Sequence, residues 1–185
     1  MQTVNINFNQ LVKQGKAIPQ GSARVRVAVL AEFASQHLVK ALRAAAALNK
    51  MELEIWETDY DAIDPVVFNE SSELYQQSFD YILVYLSAFK LYKAFSYSKQ
   101  KNQFAEKQLG YIRSIASQLS KTKSRIIVSN YPEMDDAVFG NYASKTSQSF
   151  LYQLRKLNLG LMESAQSQKN LFVVDAQSLS AWKGR

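Results

Sequence analysis

Five short runs of β-branched and aromatic apolar residues recur along the 185-residue chain: Val25–Leu30, Leu53–Trp56, Tyr81–Leu86, Ile126–Val128 and Leu171–Val174. Runs of this length and composition read as buried strands. The intervals between them are long enough for crossovers, so neighbouring strands can lie parallel. Those intervals have helical character. Ala34–Asn49 is Ala-rich and sets Leu38, Val39, Leu42 and Ala46 on one face, as a helix packed closely on a sheet requires. A short helix is expected at Asp64-Pro65, where Asp can cap and Pro suits the first helical position. Phe104–Leu119 carries a stripe of Leu109, Ile112, Ile115, Ala116 and Leu119, and Ser147–Ala165 carries one of Phe150, Leu151, Leu154, Leu157, Leu161 and Met162. The order β-α-β-α-β-α-β-α-β predicts a three-layer α/β/α fold with a five-stranded, mostly parallel sheet of flavodoxin-like topology.

In such a fold ligands collect at the carboxyl ends of the strands. The residues to watch are therefore Ala31–His37, Thr58–Asp61, Ser87–Tyr92, Ser129–Asp136 and Asp175–Ser178. Residues 1–21 read as a polar N-terminal arm with one short helix, ahead of a single domain over 22–185.

Composition removes more chemistry than it suggests. With no Cys and one His, disulfide scaffolds, thiolate zinc sites, cysteine nucleophiles and any mechanism needing two imidazoles are excluded. No run approaches the roughly 20 apolar residues of a membrane span. The first residues form no signal peptide, so a cytoplasmic location is expected. The net charge of +6 favours acidic partners. The basic residues form no block, which argues against nucleic acid.

No Gly-x-Gly-x-x-Gly or Gly-Lys-Ser/Thr loop follows the first run, which argues against nucleotide binding of the familiar kinds. Ser35 and His37 could pair as nucleophile and base. Two residues apart at a helix start, however, their side chains diverge, and Ser35 reads more simply as a helix cap, with His37 on the surface. The acidic groups Glu57, Asp59, Asp61 and Asp64, and Glu133, Asp135 and Asp136, match no EF-hand or phosphotransferase pattern and read as solvated turns and caps, so no metal site is expected. Between Phe89 and Phe104 the lysines Lys90, Lys93, Lys99 and Lys101 interleave with Phe89, Tyr92, Phe95 and Tyr97. This stretch reads either as an irregular excursion that tucks in its aromatics or as a partner-binding edge centred on Lys90, Tyr92, Lys93 and Tyr97. Asn158 shares a helical face with Leu154 and Leu161, and a buried amide there would fix a loop.

Several short motifs then resemble a known family: Arg26-Val-Ala-Val-Leu-Ala-Glu-Phe-Ala-Ser35, Ser72-Glu-Leu-Tyr75, Phe79-Asp80, Phe139-Gly-Asn141, Leu157-Asn158, Val173–Ala181 and Gly184-Arg185. In order and spacing they resemble the amino-terminal domain of FkbH-like proteins over residues 22–185. The resemblance implies an SGNH-hydrolase-like domain that precedes a HAD-type phosphatase domain, in proteins some of which load an acyl-carrier protein. It implies Mg²⁺ in the phosphatase domain alone, so no cofactor is expected here, and it makes this chain part of a longer protein. The phosphatase nucleophile motif does not occur, because Val173-Val-Asp175 continues as Ala-Gln-Ser. The SGNH triad is broken as well. Its nucleophile falls on Phe33, its Gly-x-Asn-Asp loop is replaced by Ser87-Ala-Phe-Lys90, and no His follows Asp175. Ser35, His37 and Asp175 stay weak catalytic candidates. The implied role is a catalytically degenerate module that binds or positions an acyl-carrier protein or the adjacent HAD domain. An ester hydrolase with a displaced catalytic group is the alternative.

Overall fold

A computed structural model of the chain describes residues 7–15, 20–134 and 137–183. All five apolar runs are strands: β1 (Ala23–Ala31), β2 (Met51–Glu57), β3 (Tyr81–Tyr85), β4 (Arg125–Ser129) and β5 (Leu171–Val174). Most extend past the apolar run into polar neighbours, because the hydrogen-bond ladder continues where burial does not. The strands form one sheet in the order β2-β1-β3-β4-β5. Every pairing is parallel.

The helices are α1 (Phe8–Gln14), α2 (Gln36–Leu48), α3 (Ile63–Val67), α4 (Glu73–Gln76), α5 (Ala88–Tyr97), α6 (Phe104–Leu119), α7 (Phe150–Ser167) and α8 (Ala176–Lys183). The N-terminal arm holds its expected helix, capped reciprocally by Asn7 and Gln10. Gly15 ends it against α2, where a Cβ would lie 2.3 Å from the Ala44 Cα.

Side chains alternate across the pleat, so each strand feeds two faces. Ala28, Leu30, Ile82, Val84, Ile126, Val128 and Leu171 point to one face, beneath α3, α4, α5, α6 and α7. Phe150, Leu154, Leu157 and Leu161 of α7 and Ile112, Ile115 and Leu119 of α6 are sealed in this main core. The opposite face, with Val27, Val29 and Ala31, is met by Val39 of α2. The three-layer α/β/α architecture is thus as expected, with unequal outer layers.

The stretch after β3 is not an irregular excursion. Leu91 and Phe95, one helical turn apart, are buried. Phe95 packs edge-on against Phe104 and at a tilt against Phe150. Ser87 caps the start of α5 by accepting from the Lys90 N–H at 3.3 Å. Lys101 closes its end, donating to the Phe95 carbonyl at 2.9 Å with its ammonium 4.4 Å from the Phe95 ring centroid. A stripe of only two buried residues, set among aromatics and lysines, carries too little periodicity to announce the helix. The very short α4 and the C-terminal α8 were hidden for the same reason.

Candidate functional site

In the order β2-β1-β3-β4-β5 the chain leaves β1 in opposite directions, and a crevice opens between the carboxyl ends of β1 and β3. Glu32 follows β1 directly and accepts from the Ser87 N–H at 2.7 Å, which ties the exit of β1 to the start of α5. Together with Lys90, Leu91, Tyr111 and Tyr131 they line a cavity of about 140 Å³. That volume holds about four waters.

The electrostatics follow from burial. Desolvation pushes the Glu32 carboxyl above its ordinary range, against the Ser87 N–H and the Lys90 charge, which stabilise its ionised form. Partial burial works against the Lys90 ammonium, but a hydrogen bond from Lys90 to Asp61 and the charge of Glu32 outweigh it and raise its pKa. Lys90 also lies 5.2 Å from the Tyr60 ring centroid. Tyr111 donates to Asp64 at 2.6 Å, and burial followed by that hydrogen bond holds its hydroxyl protonated. Tyr131 is held protonated by burial. The crevice thus brings together a carboxylate, an ammonium, two phenols and the Ser87 hydroxyl, which accepts from the Lys90 N–H.

A second polar network joins the ends of β4 and β5. Asn130 donates to Asp175 at 2.8 Å and accepts from the Gln177 N–H at 3.0 Å. Asn158 accepts from the Tyr131 N–H at 3.0 Å and donates to the Tyr131 carbonyl at 2.8 Å and to Gln177 at 2.9 Å. The expected loop-fixing amide is there, and the loop it fixes leaves β4. Gln177 also donates to Glu133 at 3.1 Å, and Arg155 grips the same carboxylate at 2.6 and 3.1 Å.

The catalytic candidates do not converge. Ser35 stands at the cap position of α2 but makes no side-chain cap bond. It is 6% exposed and donates to Glu57 at 2.6 Å, which corrects the expectation of a capping serine: β2 ends close enough to take the hydroxyl first. His37 is exposed and meets Phe8 edge-on at 5.4 Å. Asp175 accepts from the Ser178 hydroxyl and N–H, which with Asn130 lower its pKa and make it the cap of α8. It follows β5, three strands from β1, and three strand spacings are about 14 Å. Phe33, at the expected nucleophile position, packs edge-on against Tyr85 at 4.9 Å.

The partner-edge residues divide. Lys90 is turned inward to Asp61, and Tyr92 packs edge-on against Phe150 at 5.1 Å. Lys93 is exposed, and Tyr97 and Phe89 are 79% and 68% exposed. The acidic residues serve as partners: Glu57 to Ser35, Asp61 to Lys90, Asp64 to Tyr111 and Glu133 to Arg155. Among the described residues no group of three or more His, Asp and Glu could hold a metal ion. Asp135, Asp136, Gly184 and Arg185 lie outside the described residues. No described helix is long and apolar enough to cross a membrane. Glu32 and Tyr131 lie in the strand-end segments 31–37 and 129–136 that the sequence marked, without being picked individually, and Tyr111 lay outside all of them. A carboxylate flush against the end of an apolar run was the available signal for Glu32, position after the fourth run was the signal for Tyr131, and Tyr111 gave none.

Several residues of the motifs that carried the resemblance brace the fold: besides Asn158, they are Ser72, Tyr75 and Asp80. Ser72 and Tyr75 donate to the Val66 and Val67 carbonyls at 2.7 and 2.5 Å and lock α4 onto α3. Asp80 accepts from the Arg26 N–H at 2.8 Å and sets β3 beside β1. Residues 26–185 match the family described as FkbH, N-terminal domain. The chain belongs to that family. A solved structure from Bacteroides fragilis, the N-terminal part of the protein BF1531 containing a phosphatase domain complexed with Mg, is 30% identical with a TM-score of 0.87. The alignment covers 96% of this FkbH domain and 47% of that chain, so this chain spans about half of its solved relative. A putative acylhydrolase from Bacteroides fragilis, BF3764, is 14% identical over 94% of this chain and 78% of its own, with a TM-score of 0.48. No curated protein matches the sequence.

Proposed function

We propose that this FkbH amino-terminal domain is a non-catalytic positioning module of a phosphatase-containing protein. It docks an acidic partner, an acyl-carrier protein or the adjoining phosphatase domain, through the outer face of α5. One observation carries the reading: each group that could have built a triad is bound to a different element, with Ser35 on Glu57, His37 against Phe8 and Asp175 capping α8. Nucleophile and base need direct hydrogen-bonding reach, and triad members act as a unit.

The binding face follows from the helix. Phe89, Lys93 and Tyr97 recur every fourth residue and form one exposed ridge beside the carboxyl-end crevice. Lys90 and Tyr92 brace that ridge from below. Aromatic anchors flanked by a cation suit an acidic surface, and the cation acts mainly on association rate and salt dependence. Lys93→Glu is expected to weaken binding of an acidic carrier protein several-fold at low salt, read by titration calorimetry; unchanged affinity would refute the ridge. The hydrolase alternative predicts aryl-ester turnover that disappears in Ser35→Ala. Equal rates for wild type, variant and buffer are expected.

A further inference from the structure

Glu32 is a half-buried carboxylate with only part of its hydrogen bonding met. Its Oε2 accepts from the Ser87 N–H at 2.7 Å, and no described residue donates to its Oε1. Lys90 stands near it but gives its ion pair to Asp61, so Glu32 has no salt bridge among the described residues. Tyr131 is in the same condition. It is 2% exposed, and its hydrogen bonds run through its backbone to Asn158, with none to its hydroxyl among the described residues. Neither group is sealed off. The described side-chain atoms that lack both a partner and accessible surface are Thr58 Oγ1, Ser129 Oγ and Gln168 Oε1, so the Glu32 Oε1 and the Tyr131 hydroxyl both open onto the cavity they line. Unpaired polar groups at such depth are costly and call for a partner.

Charge, hydrogen bonding and size select that partner together. The charges felt at Glu32 are the carboxylates of Asp61 and Asp64 and the ammonium of Lys90, so with Glu32 itself negative charge exceeds positive and a cation is drawn in while an anion is repelled. A carboxylate oxygen and a phenol oxygen can both accept, and an ammonium offers three donors and no acceptor. Among the described residues no group of three or more His, Asp and Glu could hold a metal ion, which leaves an organic cation. Leu86, Leu91 and Ala94 add apolar wall, and a cavity of about 140 Å³ admits a chain of about four or five non-hydrogen atoms.

We propose that this cavity binds a small primary alkylammonium ion. Its charged end sits between the Glu32 Oε1 and the Tyr131 hydroxyl, and its short chain lies against Leu86 and Leu91. The cavity uses Lys90, Leu91 and Ala94 of α5, whereas the docking ridge is Phe89, Lys93 and Tyr97, so the two proposals fail separately.

The test is a titration of the ¹⁵N-labelled chain at neutral pH with butylammonium chloride, matched against potassium chloride, and with 1-butanol and butyrate, which are of similar size. Butylammonium is expected to move the Glu32, Ser87 and Lys90 amides and to bind about tenfold or more tighter than 1-butanol, with butyrate weakest. Glu32→Gln keeps an acceptor for the Ser87 N–H but removes the charge, and is expected to weaken butylammonium binding about tenfold or more. Tyr131→Phe removes the hydroxyl alone and is expected to weaken it about three- to tenfold. Absence of crevice shifts with millimolar butylammonium, equal affinity for 1-butanol, or undiminished binding in either variant would each overturn the proposal.

Discussion

Asn158→Ala tests how much of the carboxyl-end architecture hangs on one amide. Asn158 is 5% exposed and satisfies both backbone groups of Tyr131, the second residue beyond β4, while also holding Gln177 of α8. Truncation leaves a buried N–H and a buried C=O without partners, each costing about 1–3 kcal/mol. Partial relaxation brings the expected loss to about 3 kcal/mol, a drop of about 6–12 °C in Tm for a chain of this size. Asn158→Asp discriminates further. It keeps an acceptor for the Tyr131 N–H but sets carboxylate oxygens against the Tyr131 carbonyl and the Gln177 oxygen, and should be at least as damaging at neutral pH. The assay is urea unfolding followed by circular dichroism, with hydrogen exchange at Tyr131 and Gln177 as the local readout. A loss under about 1 kcal/mol for Asn158→Ala, with exchange unchanged, would refute the claim that this amide fixes the loop.

Two further perturbations probe the fold and its electrostatics. Gly15→Ala places a methyl 2.3 Å from the Ala44 Cα, so α1 must lift from α2; faster proteolysis within residues 7–15, with the domain's main unfolding transition little changed, is the expected result. Glu32→Gln keeps an acceptor for the Ser87 N–H and removes a carboxyl whose pKa is raised in the fold, mainly by burial. Such a group binds its proton more tightly folded than unfolded, so its contribution is intact below the ordinary carboxylate pKa near 4.5 and is lost as pH rises through the folded value. Denaturation at pH 4 and pH 8 should show the variant gaining on wild type at the higher pH, and a gap that does not change with pH would contradict the burial argument.

How far the sequence could be read depended on how many residues repeated a signal. Val25–Leu30 or Leu154–Leu157–Leu161 state their burial several times over, so strands and long helices were legible. Phe89–Tyr97 mixes two buried residues, Leu91 and Phe95, with exposed aromatics, and neither its helix nor the division of its lysines could be read. Lys90 and Lys93 are equivalent in sequence, yet one faces Asp61 and the other solvent. Ser35 could be placed at a helix start, but its hydroxyl went to Glu57, a residue 22 positions away.

Local pattern and composition thus determined the α/β order, the parallel sheet, the absence of thiol and paired-imidazole chemistry, and the family resemblance, because each is a property of residue type at short range. The crevice of Glu32, Tyr111 and Tyr131, the separation of Ser35 from Asp175 and the apolar groove between α2 and α8 were decided by tertiary structure alone. They depend on the strand order and on which side of the sheet each connection crosses. Those are set by summed burial over the whole chain, and no segment of the sequence carries that information by itself.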